Sequence, residues 1–436
     1  MAPPPIHALR RRAGLRACLV AVAGVSMAAA SASTASQQSD MRELREMVLE
    51  LQDQVRAQQQ QLDDQRGVIR EAGLEDQRGS SSGLSSFLES TDFSGWVAAS
   101  YFYNVNDPNR SNPQPNSPLS NPFHPDHNTF QLDEVWFAMK RPPTRESPAG
   151  FEVVLVYGAT AGAVTKGNVD RNEIWVARAN VGYRTPWGPT LTAGKFATPI
   201  GYEVAGAARN VNITRGFLYN LAQPISHVGA TVSQEFDSGL TYSFGIVNGF
   251  DEEQPDSNQN KGFLWQLGWG SDVVTLLFNG FYAEKSEDFL KRNATGAIGP
   301  AGSFDDHYLL DVVVEWTPAD DLLFWANFDY ATVDEGSGDP WITGVAIGGR
   351  VGVTDRLGVA GRFEFAKVEH DRAGGDDDNN LWSVTGTTDF ALTNDLTWKL
   401  EAKWETVGGS RNDLYADGGG VDDSALYLGS QVYYEF

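Results

Sequence analysis

Ala425-Leu-Tyr-Leu-Gly-Ser-Gln-Val-Tyr-Tyr-Glu-Phe436 places Leu426, Leu428, Val432, Tyr434 and Phe436 on one face and Tyr427, Gly429, Gln431 and Glu435 on the other. Side chains of a strand alternate with period two. Apolar residues opposite polar ones are the pattern of a strand with lipid on one side and a wet lumen on the other. The same alternation recurs upstream. Val228, Ala230, Val232 and Phe236 oppose His227, Thr231, Ser233 and Glu235, and Tyr308, Leu310, Val312, Val314 and Trp316 oppose Asp311 and Glu315. Trp398, Leu400, Ala402 and Trp404 likewise oppose Lys399, Glu401, Lys403 and Glu405. Asp329, Arg350, Arg362, Glu364 and Asp389 also fall on the polar set. A charge at the bilayer midplane costs roughly 2–4 kcal/mol on a lipid face, so these charges are expected to line a hydrated interior.

From Phe93 onward the chain divides into sixteen such segments, and the breaks between them alternate in length. Those after even-numbered segments are tight, as at Asp237-Ser-Gly239, Ser271-Asp272, Thr354-Asp355 and Asn394-Asp395. Those after odd-numbered segments are long and rich in Asn, Pro, Gly and Asp, as over 104–128, 197–226, 284–306 and 370–380. An even strand number with short periplasmic turns and long outer loops describes an all-β transmembrane barrel of antiparallel strands. Sixteen strands enclose an aqueous channel where eight would be filled by side chains. Trp265, Trp269, Trp316, Trp341, Trp398, Trp404 and Tyr434 lie near strand ends, where interfacial aromatic girdles form.

The barrel is expected over residues 91–436, after three other segments. Residues 1–36 read as a signal peptide, with Arg10, Arg11, Arg12 and Arg16 before the apolar run Ala17 to Ala30 and small residues from Ala28 to Ala35. Cys18, the only cysteine, would leave with it, so neither disulfide nor thiol chemistry is expected in the mature chain. Residues 37–78 hold a heptad: Met41, Val48, Val55, Leu62 and Ile69 recur every seven, with Leu44, Leu51, Gln58 and Gln65 between them. That is a helical coiled coil facing the periplasm, able to make a homo-oligomer, with a trimer favoured. Residues 79–90, with Gly79-Ser-Ser-Ser-Gly83, read as a flexible linker. Removing the four signal arginines leaves 29 basic against 57 acidic side chains, a net charge of about −28. Such acidity excludes nucleic acid as a partner.

Gly194-Lys-Phe-Ala-Thr-Pro-Ile-Gly-Tyr-Glu203, Asn210, Asn212, Pro224-Ile-Ser-His-Val-Gly229, Val247-Asn-Gly-Phe-Asp251 and Asn260-Lys261 form a more specific signature, joined by Gln131-Leu-Asp-Glu134 and Lys140-Arg-Pro142. It resembles the outer-membrane β-barrel porins described as OmpL-like, over residues 130–260. Phe250 departs from it, standing where a Trp is expected. The resemblance implies a porin and leaves the solute open. The end of the chain, with Tyr434 and Phe436, also resembles the signal by which outer-membrane barrels are recognised for assembly. The barrel-assembly machinery, outer-membrane lipids and lipopolysaccharide are therefore expected partners.

No catalytic constellation is present. His124, His127, His227, His307 and His370 show no ligand spacing for a metal, and His124 and His127 beside Asp126 read as a solvated loop. No cofactor is expected. The acidic clusters Asp251 to Glu253, Asp305-Asp306, Asp376 to Asp378 and Asp422-Asp423 read as a solvated rim. Passive diffusion of small polar solutes through a charged lumen is the function these residues favour. The alternative is a structural envelope barrel, tied by its coiled coil to peptidoglycan or a periplasmic partner.

Residues 197–226 are too apolar for a loop in external water, with Ile200, Tyr202, Val204, Ile213, Phe217, Leu218, Tyr219 and Leu221. The segment is expected to fold into the barrel and set a constriction. Its charges are Glu203, Arg209 and Arg215, net +1, and rim charges are screened beyond a Debye length of roughly 8 Å. A weakly cation-selective pore is the expected result. The end of the chain supplies its own test: Phe436→Ala is expected to lower outer-membrane levels and leave protease-sensitive periplasmic chains, scored by fractionation. Unchanged surface abundance removes the assembly role.

Overall fold

The computed structural model describes residues 87–107, 121–164, 174–250, 260–284, 306–334, 341–372, 375–410, 415–417 and 420–436. The signal and the coiled coil lie outside these residues. In the stretch read as a linker, 87–89 form a helical turn, and Thr91 Oγ1 donates to the Phe87 carbonyl at 2.6 Å.

The strands are β1 (Asp92–Asn104), β2 (Thr129–Arg141), β3 (Ala149–Tyr157), β4 (Ile174–Arg184), β5 (Thr190–Ala197), β6 (Ser226–Glu235), β7 (Leu240–Val247) and β8 (Gly262–Gly270). They continue with β9 (Val274–Glu284), β10 (Asp306–Ala319), β11 (Leu322–Asp334), β12 (Trp341–Thr354), β13 (Leu357–Arg372), β14 (Gly375–Ala391) and β15 (Leu396–Gly409). A small hairpin, β16 (Tyr415–Asp417) and β17 (Gly420–Asp422), precedes β18 (Ser424–Glu435). The sixteen long strands pair neighbour to neighbour, antiparallel, and β18 closes on β1. Closure leaves no open edge, which a membrane span requires because lipid cannot hydrogen-bond a bare backbone. At the seam Gly95 and Phe436 exchange both N–H···O bonds at 3.0 Å. Gly95 is glycine for want of room: a Cβ there would lie 2.7 Å from the Phe436 ring and closer still to the Trp136 carbonyl. Tyr434 and Phe436 point outward, about half exposed.

The two faces separate as the alternation requires. Leu310, Trp316, Leu400, Trp404, Leu428 and Val432 are exposed on the outside, while Asp311, Asp329, Arg362, Glu364, Lys399, Glu401, Lys403 and Glu405 are buried within. A register shift at Ala98/Ala99, where β1 meets β2, changes the count locally. A bulge sends two consecutive residues to one side, and Asp133 and Glu134 are both buried as a result.

Two departures from the sequence reading concern the long-loop end. Residues 370–380 were expected to be loop, yet β13 and β14 run on as a ladder, with His370 opposite Asp377 and Arg372 opposite Gly375. Backbone pairing continues past the membrane whatever the polarity of the side chains, because the ladder bonds use only main-chain groups. A helical turn α1 (Ala159–Val164) also packs on β2, β3 and β4, with Ala159, Thr160, Ala161 and Gly162 buried.

The apolar core lies inside the barrel. Inward residues of β8 to β15, among them Leu264, Leu309, Val313, Trp325, Ala346, Ala360 and Leu381, form one cluster with Ile200, Tyr202, Ile213, Phe217 and Leu218 from the segment between β5 and β6.

Candidate functional site: the segment seated in the lumen

The segment between β5 and β6 makes a 3-10 turn at Ala207–Arg209 and a π-helical turn at Leu218–Ala222. From Ile200 to Pro224 every residue but Val204 and Arg209 is buried. An irregular backbone buried in this way needs partners for its N–H and C=O groups, and the inward charges of the wall supply them. Glu401 on β15 accepts the N–H of Ile213 at 2.6 Å, the N–H of Thr214 at 3.0 Å and the Thr214 hydroxyl at 2.6 Å. Glu364 on β13 accepts the Phe217 N–H at 2.8 Å, and Glu134 on β2 accepts the Ala207 N–H at 2.7 Å. The cations take the carbonyls. Lys399 donates to Asn210 O at 2.6 Å, Arg362 to Thr214 O at 2.7 Å and Lys403 to Arg215 O at 3.4 Å.

Close approach dictates one residue here. A Cβ at Gly216 would fall 1.8 Å from Glu364 Oε1, so any side chain there would push that carboxylate from its place. Within the segment, Glu203 accepts the Gly216 N–H at 2.7 Å and pairs with Arg362 at 2.5 Å. Arg362 also pairs with Glu364 at 3.2 Å, and the triad is almost fully enclosed.

The residues expected at the constriction therefore divide. Arg215 is buried, its guanidinium donating to the carbonyls of Val204, Ala205 and Ile213 and lying 4.3 Å over the Phe123 ring. It fastens the segment to itself. Arg209 keeps about a third of its side chain in solvent, lies 4.8 Å over the Trp96 ring and pairs with Glu435 at 2.6 Å.

The twelve residues expected to line the pore divide as well. Asp311, Asp329, Arg362, Glu364, Lys399, Glu401 and Lys403 are enclosed between wall and segment. His227 is enclosed too, with Nε2 3.1 Å from Thr198 Oγ1 and Nδ1 3.3 Å from Gly249 O. The remaining four lie towards the short-turn end. Arg350 holds Asp389 through two bonds, 2.8 and 2.6 Å, Glu315 is half-buried, and Glu235 is exposed where β6 ends. A further half-exposed pair, Arg178 with Glu152 at 2.8 Å, lies on β4 and β3. The neutral partners Asn327, Gln223, Gln266 and Asn279 escaped the sequence reading, which weighed charges. Their signal was an amide at an inward position on each of β8, β9 and β11.

Residues 121–128, just ahead of β2, pack on the seated segment. Phe123 packs against Tyr219 at 5.9 Å, and His124 stacks on Phe102 at 3.8 Å. Burial holds the His124 imidazole well below its ordinary range, and nearby Arg215 and Lys403 push the same way. Asp133, 3.6 Å from Nε2, favours the opposite charge state. Burial outweighs that single contact, and His124 is neutral. Among the described residues no group of three His, Cys, Asp or Glu side chains is placed to hold a metal ion.

A closed sixteen-stranded barrel with a loop folded onto its inner wall defines an outer-membrane barrel of the porin type. The family described as "Putative beta-barrel porin-2, OmpL-like" matches residues 90–436, and the chain belongs to it. Solved structures share the fold at low identity. The anion-selective porin from Comamonas acidovorans is 12% identical, with a TM-score of 0.55, over 80% of this chain and 99% of its own. The outer membrane channel DcaP of Acinetobacter baumannii is 10% identical, with a TM-score of 0.52, over 79% and 97%. The trimer form of OmpT, an outer membrane protein of Vibrio cholerae, is 14% identical, with a TM-score of 0.52, over 79% and 99%. No curated protein matches the sequence. The family and the barrel place the protein in the outer membrane with a porin's general function.

Glu401 supplies the test of how the segment is held. Glu401→Ala removes the acceptor of two backbone N–H groups and two hydroxyls, those of Thr214 and Thr387. Hydrogen bonds to a charged group are worth about 1.5–3 kcal/mol each and are not additive, so local opening is expected to become easier by roughly 2–4 kcal/mol. Hydrogen exchange over residues 211–217 should quicken while the wall strands stay protected. Unchanged exchange there would mean that Glu401 does not hold the segment.

Proposed function

We propose that the barrel lets small polar or charged solutes diffuse passively across the outer membrane, and that residues 198–225 set its constriction. The observation that carries this reading is the seating of the segment on inward carboxylates of β2, β13 and β15, which holds it across the lumen. Selectivity then rests on the charges that solvent reaches. Arg209 is the accessible cation of the segment; the pair Arg178–Glu152 is partly exposed, and in the pair Arg350–Asp389 the arginine is partly exposed and the carboxylate buried. Each is balanced by its partner, which favours weak selectivity despite the acidic chain. Lipopolysaccharide would surround the outer rim.

One observation favours the envelope-barrel reading instead: an apolar cluster lies inside the barrel with the segment packed in it. Conductance decides between the two. In planar bilayers the full chain is expected to give discrete ion-conducting steps, and a folded but silent barrel rejects the porin. Arg209→Ala is expected to move the reversal potential in a salt gradient towards cations and change the step size. Arg215→Ala is expected to act through loosening of the segment. Reversal potentials equal to wild type in Arg209→Ala would place that residue off the solute path.

A further inference from the structure

Both ends of the seated segment meet at one side chain. Asn327 on β11 accepts through Oδ1 from the Tyr202 N–H at 3.0 Å and from Gln223 Nε2 at 2.8 Å. Its own amide donates to Asp311 Oδ2 at 2.5 Å and to Asp329 Oδ1 at 3.1 Å. Gln223 Nε2 also reaches Asp329 Oδ2 at 2.8 Å. On the far side Asn279 donates to Asp311 Oδ1, and Gln266 donates to Asn279 Oδ1 at 2.8 Å and to Pro199 O at 3.2 Å. The Gly201 N–H completes the set by bonding Asp311. A row of five inward side chains on β8 to β11 thus clasps Pro199, Gly201, Tyr202 and Gln223. Gly201 has φ +87°, and a Cβ on it would lie 2.0 Å from Gln223 Oε1, so the two ends touch.

The clasp has an unusual charge composition. Asp311 and Asp329 are buried, and their donors are amides and a backbone N–H. Among the described residues no Lys or Arg bonds either carboxylate. β12 presents Ala346 and Gly344 opposite Asn327 and Asp329. The other titratable groups near the clasp are the Tyr202 hydroxyl, Glu203 within its triad with Arg362 and Glu364, and half-buried Glu315 on β10. Asp311 and Asp329 stand directly opposite each other in the β10–β11 ladder, and the Asn327 amide bonds both. Two buried carboxylates facing each other at that spacing repel when both are ionised, and one proton between them removes the repulsion.

We propose that Asp311 and Asp329 are positioning residues that share one proton, and that this proton keeps the neck of the segment clasped to the wall. Hydroxide would take the proton as water, leaving two like charges against each other with no cation to offset them. The neck would then open. The effect on permeation rests on the porin reading, and the clasp itself does not.

The test uses the full chain in lipid vesicles, with hydrogen exchange of peptides covering 198–225 followed from about pH 6 to about 10, each point normalised to the intrinsic rate. Wild-type protection at the neck is expected to fall by about tenfold or more on the alkaline side. Asp329→Asn keeps a donor towards Asp311 without a titrating proton, so its protection is expected to stay flat. Asp311→Asn, which donates the other way, serves as the second variant if the first fails to fold. A flat wild-type profile, or a variant that loses protection in step with wild type, overturns the proposal. Bilayer recordings on the same samples separate the two readings: a silent barrel with the exchange result intact rejects the porin and leaves the clasp standing.

Discussion

The arrangement depends on carboxylates of the inner wall accepting backbone N–H groups from a chain segment that has no ladder of its own. A barrel wall satisfies its own main chain, strand to strand, and is complete without help. The segment from Thr198 to Ile225 is not. Packed where water does not reach, its N–H groups would each go unbonded at a cost of about 1–3 kcal/mol. Glu134, Glu364 and Glu401 take those groups, and Arg362 and Lys399 take carbonyls. The bargain is mutual, since the same charges would be expensive to bury without partners.

Seen this way, the division of charge inside the barrel has a physical cause. Charges that bond the segment are dry. Near the short turns, Glu152, Arg178 and Arg350 are partly open to solvent and stay paired, Arg350 with the buried Asp389. Acidity summed over the chain therefore says little about the potential a solute would meet. What matters is the handful of groups that remain wet.

The fold was legible in the sequence because the bilayer enforces period two on each strand, and turn residues punctuate it. The inward bias of the segment was legible from Ile213, Phe217 and Leu218, apolar where a solvated loop would be polar. Its partners were not. Glu401 and Thr214 lie 187 positions apart, and no local pattern reports such a pairing. Periodicity placed Glu364, Lys399 and Glu401 on the inner face correctly, but it could not distinguish a residue facing water from one facing protein. The bulge beside Ala98 that turns both Asp133 and Glu134 inward, and the amide of Asn327 that joins both ends of the segment, depend on three-dimensional register and leave little trace in composition.

The anchors are spaced along the chain in a way that bears on how the molecule is made. Tyr202 waits for Asn327, 125 positions later, Phe217 for Glu364, 147 later, and Ile213 for Glu401, 188 later. A segment translated near the middle thus has no seat until the last third of the chain has been laid into the wall. Contacts of such long range form late, because the loop-closure entropy falls due before they reward it. Until then Phe217, Leu218 and Leu221 have no wall to pack against, and the unfinished barrel carries an apolar stretch that one with an empty lumen would not.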